Sequence, residues 1–335
     1  MIEVFDAAPL ASVQDLGRES YLRYGVSYSG VMDSLALRAG NAMLGNAEDL
    51  AGIEMQAFPC RFRFREAADF AVTGAGCAVT LDDAPLLPWW ASHAEAGQVL
   101  TIAAPRRGVR GYFTINGGID VPLVLGSRST QFRGSFGGHE GRWLEAGDVL
   151  PVGPDRPRTI VAPGFGAQPP DAGVPTDWTP ADLPPGTTAV RVLTAAEYGL
   201  FTEESQQRFW STGWKISGQS NRAGYRLAGQ PLDFARRIEM RSHGIVPGVV
   251  QVPPSGEPII QLSDAHTAGG YPKIATVIEA DLWRLAQAPL GSRLRFVPVA
   301  YPAALAALRE ADAWIASLRR LAGHYRLLCG TGRRP

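Results

Sequence analysis

Lysine is almost missing from this chain: of 32 basic residues only Lys215 and Lys273 carry an ammonium, and the rest are arginine. Where a positive charge needs only to be solvated this sequence uses guanidinium, so a surviving lysine marks a place that wants a compact point charge with rotatable donors. Cysteine is equally sparse. Cys60, Cys77 and Cys329 are too few and too scattered for a disulfide framework, and none belongs to a CxxC pair. No apolar run approaches the roughly 20 residues that cross a bilayer. The opening residues, Met1 to Pro9, mix Glu3 and Asp6 with Val4 and Phe5, unlike a secretory leader. These absences predict a cytoplasmic protein with no membrane partner.

Charge of neither sign is in excess. The formal net charge is +0, and no basic cluster interleaved with aromatics offers a track for a phosphate backbone, so nucleic acid is not an expected partner. Several chemical signatures are also missing. The chain has no GxxxxGK[ST] phosphate loop, no GxGxxG after an opening strand and no GxSxG elbow, and its histidines, at 93, 139, 243, 266 and 324, form no HxH or HExxH. No metal site is expected.

What is abundant is punctuation. Gly (38) and Pro (26) separate short apolar runs, a spacing that favours many strands joined by tight turns over long helices. Strands are predicted at 62–64, 70–73, 99–103, 112–115, 189–193, 249–252, 259–262 and 294–297, which makes the fold mainly β. A helix is predicted over Met32 to Leu44, with Asp33 or Ser34 as its cap and Gly45 with Asn46 as its left-handed exit. A weaker helical pattern runs from Glu197 to Trp210. The longest, Tyr301 to Leu328, places Leu305, Leu308, Ala311, Ile315, Leu318 and Leu321 on one stripe, to be packed on a barrel or a partner chain. A proline-rich stretch from Pro154 to Pro185 suggests a connection between two barrel-sized halves, part of which can be an excursion on one of them. The expected division is therefore 1–183, 184–300 and a helical tail, 301–335.

Lys273 closes the most polar, glycine-dense loop. The runs 249–252 and 258–262 flank Pro253-Pro-Ser-Gly-Glu257 as a strand, a turn and a returning strand, and Ser263 to Tyr271 then contains no aliphatic residue larger than alanine. Rigid strands that frame a polar loop present functional groups. On that reading the amides of Gly269 and Gly270 approach an oxyanion, Lys273 neutralises developing charge, and Asp264 or Thr267 orients a nucleophile or proton. The alternative is a structural turn in which Asp264 and Thr267 bond to local backbone. Two further clusters carry similar chemistry: Gly126-Ser-Arg-Ser-Thr130 with Gly137-Gly138, which offers paired donors to a phosphate or carboxylate, and Ser220-Asn-Arg222 ahead of Gly224. Ser29 and Asp33 stand around Gly30 in a fourth.

Together these motifs resemble one family. Gly30-Val-Met-Asp33 with Ala36, Asn41, Gly45-Asn46 and Glu54, then Gly117-Gly118, Gly126-Ser-Arg-Ser-Thr130, Phe136-Gly-Gly138, Gly141-Arg142 and Gly147-Asp148, resemble the first half of the biotin-dependent carboxyltransferase family. Ser220-Asn-Arg222, Gly224-Tyr-Arg-Leu227, Gln251-Val-Pro-Pro-Ser-Gly256, Asp264, Thr267 and Gly269-Gly-Tyr-Pro-Lys273 resemble its second half, in the right order. His266 stands where glutamine is common, Ala268 where threonine is and Ala223 where methionine is, so the substrate does not follow from the match.

The family takes in allophanate hydrolase subunit two, the carboxyltransferase region of urea carboxylase, Kip-type antagonists of a kinase inhibitor and a subunit of ATP-dependent 5-oxoprolinase. The resemblance implies two cyclophilin-like β-barrels and companion Kip-type or 5-oxoprolinase subunits that complete the site. Within the family the favoured reading is the 5-oxoprolinase subunit, acting on a small lactam or amide; a biotin-dependent carboxyltransferase and a non-catalytic regulator are the alternatives. The resemblance implies ATP, shared with a partner and carrying Mg²⁺ only as its complex. Biotin is not expected on this chain, because Lys215 lies in Trp-Lys-Ile and Lys273 in Pro-Lys-Ile, not between methionines. The implied site comprises Lys273, Asp264 and Thr267 for chemistry. Gly269, Gly270, Tyr271, Arg128, Ser129, Gly137, Gly138, Asn221, Arg222, Ser29 and Asp33 are assigned to binding.

Overall fold

A computed structural model describes residues 1–7, 9–154, 159–161, 163–173, 176–236 and 239–330. The chain divides into two compact units, the first formed by Met1–Gly17, Asp33–Val174 and Ala311–Pro335 and the second by Arg18–Met32 and Pro175–Glu310.

In the first unit the strands form two six-stranded antiparallel sheets. One runs in the order Val149–Leu150, Ile2–Ala7, Cys60–Phe64, Val99–Pro105, Cys77–Leu81, Ala84–Leu86. The other runs Phe165–Gly166, Trp90–Ala94, Ala68–Gly74, Gly111–Ile115, Gly52–Met55, Ala11–Gln14. Alternation sets what faces inward: in Cys-Arg-Phe-Arg-Phe, Cys60, Phe62 and Phe64 are fully buried, while Arg61 and Arg63 lie over the ring of Phe5. Phe62 stacks on Phe113 at 5.0 Å, and Phe64 and Phe70 meet the same ring edge-on. This aromatic knot is the centre of the unit's core.

The first helix, Ser34–Leu44, starts and stops as its sequence predicts. The Asp33 carboxylate accepts from the Ala36 amide at 2.9 Å, and Gly45 ends the helix at φ 73°. The described part of the expected 154–185 connection includes Phe165–Gly166, which pairs with Trp90–Ala94, and the short helix Pro170–Gly173; residues 155–158, 162, 174 and 175 lie outside the described residues.

The second unit is a closed seven-stranded barrel in the order Thr187–Thr194, Lys273–Val277, Val249–Gln251, Ile259–Gln261, Gly224–Ala228, Trp214–Ile216, Arg293–Pro298. Its core gathers Val190, Val192, Trp214, Tyr225, Val250, Ile260, Ile274, Leu294 and Phe296. The helical pattern expected from Glu197 is broken: a 3₁₀ turn, Tyr198–Leu200, precedes a helix, Glu203–Ser211, that starts where the Thr202 hydroxyl accepts from the Ser205 amide.

The last helix is Tyr301–Gly330, but its buried stripe is not the expected one. Leu305 and Leu321 are exposed, and Ala304, Ala307, Ala311, Trp314, Ile315, Leu318 and Ala322 are buried instead. Hydrophobicity alone picks leucines, whereas close packing prefers small residues that let a helix approach its neighbour. Within the first unit this helix seats Trp314 edge-on against Trp89 at 5.9 Å, and Arg38 bonds both Asp312 and Glu48.

Candidate functional site

Lys273 opens the strand Lys273–Val277 and sits opposite Gln251 in the barrel ladder. Its ammonium lies 3.3 Å from Glu197 Oε1, and both side chains are only about one-fifth exposed or less, at 20% and 16%. The backbone fixes this pairing. Ala195, which follows the strand Thr187–Thr194, donates its amide to the Ile274 carbonyl, and the turn beyond it presents Glu197. One wall of the same corner is a buried amide relay: Gln261 Nε2 donates to Gln251 Oε1 at 3.0 Å, and Gln251 Nε2 donates to the Tyr271 carbonyl at 3.2 Å. A Cβ on Gly269 would fall 2.7 Å from Gln251 Nε2, so glycine lets the loop close on the relay.

The loop that leads to Lys273 has more structure than its composition suggests. Ala268–Gly269 pairs with His243–Gly244 in a two-stranded ladder, and the Thr267 carbonyl accepts from the Ile245 amide. Tyr271 projects from the loop, 46% exposed, as an aromatic surface two positions before Lys273. Asp264 does not share Lys273's surroundings as a free carboxylate. It receives Arg222 Nε at 2.8 Å and Nη2 at 3.3 Å, and the same guanidinium donates to the Gly30 carbonyl. Ser29 is held at φ 54° by its amide bond to the Ser263 carbonyl, and its buried hydroxyl has no hydrogen-bond partner among the described residues. Asn221 shapes the adjoining turn by accepting from the Ala223 amide. Arg222, Asp264, Ser29 and Asn221 thus form one corner of the barrel unit, while Lys273, Glu197, Gln251 and Tyr271 form another polar cluster of it.

The remaining sequence-assigned residues belong to the first unit. Asp15 organises the 126–130 loop: its carboxylate accepts from the hydroxyls of Ser127 and Ser129 and from the Arg128 amide. Arg128 Nη2 pairs with Asp120 Oδ1 at 2.6 Å. Gly137 and Gly138 take φ values of 68° and 55°, and a Cβ on Gly138 would collide with the Thr130 hydroxyl. Asp33 caps the first helix with its carboxylate and donates its amide to Tyr112 Oη, which in turn donates to Glu54 at 2.7 Å. Burial, with Glu54 and Asp33 close by, pushes the Tyr112 phenol well above its ordinary range, so it remains a donor.

Sequence reasoning missed Glu197, Gln261 and Asp15. Each is a lone polar residue outside the glycine-rich motifs, and its partner lies well away along the chain. Their only sequence signal is a polar residue bordering an apolar run. Among the described residues no group of His, Cys, Asp and Glu is arranged to hold a metal ion, and no helix is long and apolar enough to cross a membrane.

Comparison with known proteins gives this geometry its context. Residues 24–298 match the family model for the carboxyltransferase domain, subdomains A and B. The chain is 41% identical to the C-type 5-oxoprolinase subunit of Haemophilus influenzae, over 96% of this chain and 98% of that one. It is 40% identical to the corresponding 5-oxoprolinase subunit of Escherichia coli, over 95% and 97%. Among solved structures, the K. lactis urea amidolyase superposes with a TM-score of 0.83 at 31% identity, over 95% of this chain and 20% of that much longer one. The match covers both halves of the motif set read from the sequence, and the chain therefore belongs to the carboxyltransferase-domain family of subdomains A and B.

Proposed function

We propose that this chain is a subunit of an ATP-dependent 5-oxoprolinase, opening the lactam of 5-oxoproline to L-glutamate together with companion subunits. The observation that carries the reading is similarity along nearly the whole of both chains to two bacterial proteins named as 5-oxoprolinase subunits. The geometry around Lys273 supports it. A lactam is protected by amide resonance, and transfer of a phosphoryl group from ATP to its carbonyl oxygen makes the ring carbon open to water, with the ring C–N bond breaking and the nitrogen taking a proton. Such a route needs a positive charge aimed at the oxygen where negative charge gathers. Lys273 has three donor protons, and Glu197 accounts for one contact, so the others are available to a ligand. Tyr271 offers a flat face for a small ring. Gly269 and Gly270 bring backbone close to the same place, and Thr267 fixes the loop through its carbonyl.

In this reading Arg222 and Asp264 shape the barrel corner that carries Ser29 and Asn221. Arg128, Ser129, Gly137, Gly138 and Asp33 offer anion-facing backbone and charge on the first unit. ATP and its Mg²⁺ are shared with a companion subunit. A second reading, carboxyl transfer to a urea-type amide from biotin on another protein, is favoured by the likeness to urea amidolyase. The test is reconstitution: the chain is combined with its companion subunits, given ATP and 5-oxoproline, and glutamate and phosphate are measured. Stoichiometric release of both is expected. No release with 5-oxoproline, but turnover of urea with a biotinylated partner, would favour the second reading.

A further inference from the structure

Glu197 is a polar residue with no place in the sequence motifs, yet its carboxylate is the one that ion-pairs with Lys273 among the described residues. Its Oε2 is buried and has no hydrogen-bond partner among them, so Lys273 is what holds the carboxylate where it is. An ionised carboxylate that is 16% exposed, with one oxygen unsatisfied, is tolerable only because an ammonium sits beside it. The backbone also commits to this meeting, through the Ala195 amide bonded to Ile274 and the Leu200 amide bonded back to the Glu197 carbonyl.

We propose that Glu197 is a positioning residue for Lys273: its carboxylate holds the ammonium in one orientation and leaves the other two donor protons directed at the ligand. Lysine needs such a partner. Its four-carbon stem is flexible and its charge is a point without a preferred direction, unlike the rigid fork of arginine. Because Oε2 is buried, the carboxylate works through Lys273 and does not itself touch substrate. The inference rests on the proposed role of Lys273, and its test separates the two.

The chain has only two lysines, so reductive ¹³C-methylation, which preserves the charge, gives one resonance each for Lys215 and Lys273 beside that of the amino terminus. In the full chain, Glu197→Gln should shift the Lys273 resonance and leave that of Lys215 in place. In the reconstituted complex the same variant should lose about tenfold to a hundredfold in kcat, as misplacement of a reacting group does, with KM changed less than about threefold. A shared melting temperature for wild type and variant shows that the loss is not unfolding. An unmoved Lys273 resonance would overturn the pairing. A moved resonance with unchanged kcat would overturn the positioning role while leaving the proposed function standing. If the wild-type complex ignores 5-oxoproline and carboxylates urea, the proposed function fails, and the same kcat comparison on urea then decides the role of Glu197.

Discussion

Removing the Asp281 carboxylate should cost more stability than any other single change to the barrel's polar groups. Asp281 is fully buried and accepts three bonds from Arg191: from its amide at 2.7 Å, Nε at 3.0 Å and Nη2 at 2.7 Å. Arg191 is itself nearly buried, with Trp178 stacked on its guanidinium at 4.3 Å. Asp281→Ala keeps the cation in place and deletes its counter-charge. Breaking one partner of a buried pair costs about 3–5 kcal/mol, a large share of the roughly 5–15 kcal/mol that holds a domain together. With a urea slope of about 1–3 kcal/mol/M, the midpoint should fall by about 1 M or more. The assay is urea unfolding followed by tryptophan fluorescence, together with hydrogen exchange of the strand Thr187–Thr194. That strand leads directly to Glu197, so its amides should lose protection first. Replacing both partners, Arg191→Met with Asp281→Leu, should recover much of the loss, because that buried ion pair is then gone as a whole. A single variant within about 0.5 kcal/mol of wild type, the ordinary range of a surface change, would refute the reasoning.

Three further outcomes follow from other contacts. Gly269→Ala pushes a methyl to within 2.7 Å of the Gln251 amide, so the relay to Tyr271 and Gln261 should break at a cost of about 1–3 kcal/mol, read by thermal melting and by faster exchange of amides 268–273. Trp314→Ala empties the contact with Trp89 and should destabilise the first unit by about 3–5 kcal/mol, seen as a lower melting temperature. The third concerns pH. Burial pushes the Asp148 carboxyl up, but the Arg142 hydrogen bonds, the Glu145 amide and the charge of His139 together hold it below the usual carboxylate value. A depressed folded-state value means that its stabilisation is complete above about pH 4, the unfolded carboxylate range, and is lost as pH falls through the folded value. Asp148→Asn should therefore cost about 1 kcal/mol near neutrality, and the gap to wild type should close below about pH 4; a gap that widens in acid would contradict the assignment.

Most of the β architecture is legible in the sequence because alternation and turn residues are local signals. Every predicted strand falls on an observed one, from the run at 62–64 inside Cys60–Phe64 to that at 294–297 inside Arg293–Pro298. The first helix is legible to the residue at its caps, since Asp33 and Gly45 do their work within one turn. What is not legible is whatever depends on distant partners. Nothing in the composition of residues 18–32 marks them as part of the barrel unit, because their bonds to Ser263 and Arg222 join positions about 190 residues or more apart in sequence. The buried stripe of the last helix escapes a hydrophobicity pattern because alanines fit its close approach better than leucines. At the site, glycine-rich motifs point to Lys273, Asp264 and Arg222, but the pattern of who pairs with whom is hidden. Lys273 meets Glu197 from the far end of the barrel chain, while Asp264 is taken by Arg222. Conformational demands of turns are written locally; charge pairing is written only in the folded chain.

The central claim is that the Lys273 ammonium stabilises negative charge in the reaction. The most direct measurement is turnover of 5-oxoproline by complexes containing wild type, Lys273→Ala or Lys273→Arg, each confirmed as folded by its melting curve. Loss of one such donor should lower kcat about 10²–10³-fold, and arginine should fail to restore it, because its rigid fork does not reproduce a point charge beside Glu197. Turnover by the alanine variant within about threefold of wild type would contradict the account.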